Sequence, residues 1–289
     1  MKLFEYAAPT DLAEALRLMQ RGDGEVWAMA GGTDLIDQVR QRRKEPSLVL
    51  DLKRVPELQA YQGGPQGLRV GAAVPCRRIS SDPLVKDRYP ALAESAALVG
   101  SVQIQNRATL GGNICNAAPS ADTAPALLVY EARALIAGPG GRREVPLDGF
   151  FLGPGKTALS SRDILLELRL PPPPAHSHSH YLRFIPREEM DIAVAGVASL
   201  LALDPGTGRC TRARIALGAV APRPVRALEA EALLEGQVPT EALLREAAAR
   251  AVQAAIPISD VRGSAEYRKA LIEVLAYRTL EQCLQKLRS

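Results

Sequence analysis

The sequence predicts an α+β chain of two units, a mixed N-terminal unit over residues 1–174 and a smaller sheet-plus-helices unit over 175–289. Three observations predict this. Short apolar runs alternate with segments of helical period through the first 170 residues, as strands and helices in succession do. Four consecutive prolines, Pro171 to Pro174, then hold a stiff extended stretch that neither a helix nor a central strand accepts. Beyond them, two apolar runs joined by a turn precede three helical segments, and 289 residues exceed one average domain.

Each element has a local reason. Asp11 and Glu14 open a helix whose apolar positions, Leu12, Ala15, Leu16 and Met19, fall at helical spacing, and Arg21 with Gly22 stops it. Residues 26–30 form a short apolar strand running into a glycine pair, Gly31 and Gly32. Leu35, Ile36 and Val39 then recur with helical period, so this turn opens a helix and leaves its first amides free for an anion. Strands are expected at 48–52 and 68–73, and a helix at 90–99. A second glycine loop follows in Thr109, Leu110, Gly111, Gly112, Asn113 and Ile114, then a stretch of small and polar residues to Asp122 and an apolar run over 125–130. Residues 134–137 and 143–146 flank Gly138 to Gly141 as a hairpin, and 164–170 is a further strand. In the second unit, 192–203 and 212–220 are joined by Asp204 to Gly208, a hairpin signal, and helices are expected at 228–234, 241–255 and 266–287.

Composition narrows the function classes. Apolar residues make up 47% of the chain and aromatics 4%, so the cores rest on Leu, Ala and Val. The net charge of +4 is mild; its densest cluster, Arg40 to Lys44, reads as a solvated helix end, without the interleaved aromatics of a nucleic-acid surface. Cys76, Cys115, Cys210 and Cys283 are scattered without a C-x-x-C pair, so local spacing draws no zinc or iron–sulfur site. The opening Met1 to Tyr6 is too polar for a signal peptide and no apolar run reaches membrane-spanning length, which points to a cytoplasmic chain with free thiols. All three histidines, His176, His178 and His180, fall after the prolines; strand alternation would align them, but the stretch reads as an exposed linker rather than a metal site.

The two glycine pairs, about eighty residues apart, carry the chemistry. Glycine lets bare amides approach an anion, and two such turns, each with a threonine beside the glycines and an Asp or Asn after, suggest a divided cradle for a pyrophosphate. Neither the Rossmann spacing nor a Walker loop is present.

Residues 30–35 and 109–114, with Pro119 to Asp122, closely resemble the FAD-binding medium subunits of molybdenum hydroxylases, the carbon monoxide dehydrogenase, xanthine dehydrogenase and aldehyde oxidase type. The resemblance continues through Phe150 to Thr157, Asp163 to Leu166 and Pro186 to Ala193, and spans essentially the whole chain. It implies a split, two-subdomain FAD-binding domain of the vanillyl-alcohol-oxidase/PCMH type, followed by a smaller antiparallel sheet with helices. It further implies that Trp27, Ala28, Met29, Ala30, Gly31, Gly32, Thr33 and Asp34 wrap the FAD pyrophosphate and ribityl chain, and that Thr109, Leu110, Gly111, Gly112 and Asn113 close over the same phosphates. By the same resemblance Asp122 binds a cofactor hydroxyl, Leu165 packs near the flavin or adenine, and Arg183 stands near the redox end. Val99 replaces a residue that is aromatic in some relatives.

Read from the sequence alone, Asp122 could instead cap the following helix, Leu165 could be core, Arg183 could pair with Glu188 or Glu189, and Cys115 could be a redox thiol or a small packing residue. No general acid, base or nucleophile stands out, and no catalytic residue is assigned. The implied partners are a large molybdenum-cofactor subunit, a small [2Fe–2S] subunit, and NAD or another electron acceptor. Two rivals are a self-sufficient flavin oxidase or reductase of the same fold, and a binding or assembly protein that has lost the cofactor.

Overall fold

Three sheets of three or more strands succeed one another along the described residues, 2–21, 25–187 and 190–289, of the computed structural model, with a two-stranded hairpin besides. The first is small and parallel: β1 (Glu5–Ala7), β2 (Val26–Met29) and β3 (Leu48–Asp51), in the order β1-β3-β2. Its crossovers carry α1 (Leu12–Met19) and α2 (Leu35–Arg40). Asp11 starts α1 by accepting the Glu14 amide at 2.8 Å, and the buried Leu12, Ala15, Leu18 and Met19 face the core. Gly22, expected to stop this helix, lies outside the described residues; the helix closes at Gln20.

The second sheet is antiparallel, in the order β4-β5-β10-β6-β7, built from β4 (Tyr61–Gly64), β5 (Gly67–Gly71), β6 (Arg133–Gly138), β7 (Gly141–Pro146) and β10 (Ile164–Leu170). A short hairpin, β8 (Phe151–Gly153) and β9 (Lys156–Thr157), precedes β10. Between β3 and β6 lie α3 (Pro56–Gln59), α4 (Cys76–Ser81), α5 (Pro83–Arg88), α6 (Pro90–Ala97), α7 (Val102–Gln105), α8 (Leu110–Asn116) and α9 (Thr123–Val129). The expected second glycine loop is thus the body of α8, a correction: Thr109 is the cap and Gly111 and Gly112 are helical.

The third sheet is an antiparallel meander of β11 (Ser177–Phe184), β12 (Ala195–Leu203), β13 (Cys210–Gly218) and β14 (Val225–Arg226). Its helices are α10 (Leu228–Leu234), α11 (Glu241–Ala251) and α12 (Ala265–Arg288). The exposed linker expected around the histidines is corrected too: His178 and His180 lie within β11, partly buried and paired with β12.

Two apolar cores share the third sheet. One gathers the N-terminal elements and reaches Tyr181, Ala198, Leu200 and Ala216 on one face; the other joins Val197, Leu201, Ile215 and Leu217 on the opposite face to α10, α11 and α12. A strand covered on both sides reads as a continuous apolar run, which is why β12 is buried over eight successive residues.

Candidate functional site

β2 brings the chain up to Ala30, and the turn through Gly31, Gly32 and Thr33 passes it into α2. A Cβ on Gly31 would stand 2.1 Å from the Arg107 carbonyl oxygen, so the first turn lies directly against the segment leading to Thr109. Only glycine permits backbones this close. Gly32 takes φ +77°, and the amides of Gly31, Gly32 and Thr33 meet no acceptor among the described residues. Lys53 Nζ donates to the Ala30 carbonyl at 3.1 Å and is itself paired with Asp51 at 2.7 Å, which ties the turn to the C-terminal end of the central strand β3.

The second segment is positioned by its cap. Thr109 Oγ1 accepts the Gly112 amide at 3.0 Å and starts α8. The two glycines then differ. A Cβ on Gly111 would lie 2.5 Å from the Ala72 side chain and carbonyl, whereas one on Gly112 would meet only Thr109 Oγ1 at 3.0 Å. Thr123 Oγ1 donates to Asn113 Oδ1 at 2.5 Å and orients that amide.

Between these segments lies a cleft of about 290 Å³. Every residue from Trp27 to Asp34 lines it, with Thr109, Gly112 and Asn113 opposite, and Val99 joins them. Leu110 and Gly111 are buried beneath this surface and do not line it; neither do Asp122, Leu165 and Arg183. Leu165 is buried in β10, paired with Ile136 of β6.

Sequence reasoning missed Gln38, Lys44, Asn116, Ser160 and Ser161, all on the lining. Gln38 bridges the walls, its Nε2 donating to Asn116 Oδ1 at 3.1 Å, and its Oε1 is buried without a partner. A polar residue among Leu35, Ile36 and Val39 was the available signal for it. Lys44, expected at a solvated helix end, instead has its ammonium 3.8 Å from the centre of the Trp27 ring.

Asp122, Tyr181 and Arg183 form a second buried group. Tyr181 Oη donates to Asp122 Oδ1 at 2.8 Å and Arg183 Nη1 to Oδ2 at 2.5 Å. Burial pushes the Asp122 carboxyl up to about 6, against the opposing pull of the Arg183 charge and the two hydrogen bonds. The capping reading of Asp122 is corrected: it stands at the start of α9, but its side chain caps nothing. Arg183 is paired inside rather than on the surface, while Glu188 and Glu189 lie outside the described residues; its Nε is buried without a partner. Asn113, Thr123 and this group connect the cleft wall to β11.

The thiols are quiet. Burial pushes Cys76 and Cys115 up to about 12 and Cys210 to about 11, and Cys283 higher still, so Cys115 is a packing residue despite lining the cleft. His180 Nδ1 lies 2.9 Å from Glu94 Oε1, and burial lowers the pKa of His178. Among the described residues no group of three or more His, Cys, Asp or Glu could hold a metal ion, and no helix is long and apolar enough to cross a membrane.

Two family profiles match the chain. The FAD-binding domain of molybdopterin dehydrogenases matches residues 2–173, and the C-terminal domain of carbon monoxide dehydrogenase flavoproteins matches 180–283. The carbon monoxide dehydrogenase medium chain of Hydrogenophaga pseudoflava is 33% identical, over 96% of each chain. A xanthine dehydrogenase FAD-binding subunit of Escherichia coli O157:H7 is 32% identical, over 98% of this chain and 97% of that one. Among solved structures, quinoline 2-oxidoreductase from Pseudomonas putida 86 matches with a TM-score of 0.92 and 31% identity, over 100% of this chain and 99% of that chain. A profile spanning more than half the chain, and relatives of this identity along nearly their full length, show that the chain belongs to the FAD-binding subunits of the xanthine and carbon monoxide dehydrogenase family of molybdenum hydroxylases, with FAD as its cofactor.

Proposed function

We propose that the chain relays electrons within a molybdenum hydroxylase. They come from a large molybdenum-cofactor subunit through the [2Fe–2S] clusters of a small subunit, reach FAD held here, and leave to NAD or another acceptor. The observation that carries this reading is the contact of Gly31 with the Arg107 backbone, which joins two sequence-distant segments into one cleft with unpaired amides on its wall.

The cleft fits a dinucleotide's middle. Unpaired backbone amides of Gly31, Gly32 and Thr33 suit phosphate oxygens. The buried Gln38 Oε1 lacks a donor, and a sugar or ribityl hydroxyl would supply one. The absence of a side chain at Gly112 keeps the opposite wall open. At about 290 Å³ the cleft is at the small end of ligand sites, so it holds the diphosphate and adjoining sugars rather than the whole extended molecule.

Bound FAD supplies the redox chemistry, exchanging electrons one or two at a time. In this reading Trp27 to Asp34, with Thr109, Gly112 and Asn113, bind and orient it, and the buried Leu110 and Gly111 back the second wall. Asp122, ion-paired with Arg183, meets a cofactor hydroxyl, Arg183 stands near the redox end, and Leu165 packs near the flavin or adenine, roles carried by the family resemblance. We read 1–174 as the cofactor unit and 175–289 as the C-terminal unit.

Untagged purification from the native source, with metal analysis and identification of bound chains, tests the proposal. A yellow complex containing molybdenum and iron is expected. A flavoprotein that turns over a substrate alone would favour a self-sufficient oxidase or reductase instead.

A further inference from the structure

Four of the five residues from Arg40 to Lys44 are exposed, and Lys44 is not. The reason is a chain reversal after α2. Arg42 takes φ +57°, the left-handed conformation usually left to glycine, and the amides of Arg43 and Lys44 both bond back to the Gln38 carbonyl, at 2.9 and 3.3 Å. This brings Lys44 onto the cleft lining, where its Nζ sits over Trp27. Among the described residues it is the one cation lining the cleft, and Asp34 the one other charged residue there.

Its ammonium makes no ion pair or hydrogen bond with any described residue. Partial burial lowers its pKa, with Asp34 opposing that shift from beside the glycines. Apart from the Asp34 charge, which reaches it without a hydrogen bond or ion pair, this half-buried cation has an aromatic face beside it, and its charge is incompletely countered. A ligand bearing phosphate provides the counter-charge.

We propose that Lys44 neutralises the diphosphate of the bound dinucleotide, its ammonium held over Trp27 and directed into the cleft opposite the unpaired amides. This rests on the reading that the cleft takes the middle of FAD. Lys44→Gln removes the charge and keeps a polar side chain of similar reach, and thermal unfolding checks that the variant folds as the parent does.

The test uses the full chain freed of flavin, with FAD and riboflavin followed by flavin fluorescence and ADP by calorimetry, at low and high salt. Loss of one charge-assisted contact is expected to weaken FAD and ADP about tenfold to a hundredfold. The salt dependence of both should shrink, riboflavin binding should stay as it is, and Lys44→Arg should restore most of the affinity. Unchanged FAD and ADP affinity in Lys44→Gln overturns the role of Lys44 while leaving the cleft reading intact. Equal weakening of riboflavin and ADP overturns it as well, because shape rather than charge would then be at stake. A parent chain that binds FAD but not ADP at this cleft sinks the cleft reading itself.

Discussion

A side chain at Gly112 would project into the cleft, past Thr109 Oγ1 at 3.0 Å, whereas at Gly111 it would run into Ala72 at 2.5 Å. Gly112→Val is therefore expected to lose most of its flavin, read as the ratio of visible to protein absorbance, with unfolding free energy within about 1 kcal/mol of the parent. Gly111→Val is expected to cost roughly 1–3 kcal/mol in denaturant unfolding through overpacking. Equal flavin content in parent and Gly112→Val would refute the placement of FAD against α8. Asp122 gives a pH prediction. Its folded pKa of about 6 lies above the unfolded value of about 3.9, so the folded state binds the extra proton between them. The stability that this carboxyl contributes is present below about pH 4 and is lost as pH rises to about 6. Asp51 and Asp163 are shifted the other way, but they are common to parent and variant and cancel in the comparison. The stability of the parent minus that of Asp122→Asn should fall across that window in denaturant titrations, and a flat difference would reject the raised value.

At the scale of elements, legibility followed apolar pattern. β3, β10 and β12 were readable because each is a run of buried, mostly aliphatic residues, β2 because its apolar run ends at the glycine turn, and the β6–β7 hairpin because glycine and proline mark its turn. α8 was not, because a seven-residue helix with two glycines runs against helix propensity; the Thr109 cap and contact with Ala72 hold it instead. β11 was hidden for a different reason. Its inward residues are Ser179 and Tyr181, polar groups satisfied by Tyr130, the Ala91 amide and Asp122, which no alternation of hydrophobicity reveals. Of the cleft, the wall on β2 and its turn was legible from the glycines, while Lys44 depended on the left-handed Arg42, an unmarked position.

For the whole molecule, the third sheet completes the N-terminal core as well as its own. Tyr181, Ala198, Leu200 and Ala216 belong to the apolar cluster built by the first two sheets, and Ser179 accepts the Ala91 amide at 3.2 Å. A chain ending at residue 174 is therefore expected to bind a hydrophobic dye and to lack the sharp thermal transition of the full chain; a truncated protein with an unaltered midpoint would show the two units to be independent. Sequence patterning marked the four prolines and the change of element type beyond them, but not this shared packing, which involves residues far apart in the chain.

The seam between Gly31 and the Arg107 carbonyl has one more consequence. Where main chain meets main chain there is no side chain to trim or lengthen, so the gauge of the cleft at that point is not open to adjustment by substitution. If the cleft holds the cofactor as proposed, its choice and affinity are tuned by side chains elsewhere on the lining, such as Trp27, Lys44, Ser160 and Ser161.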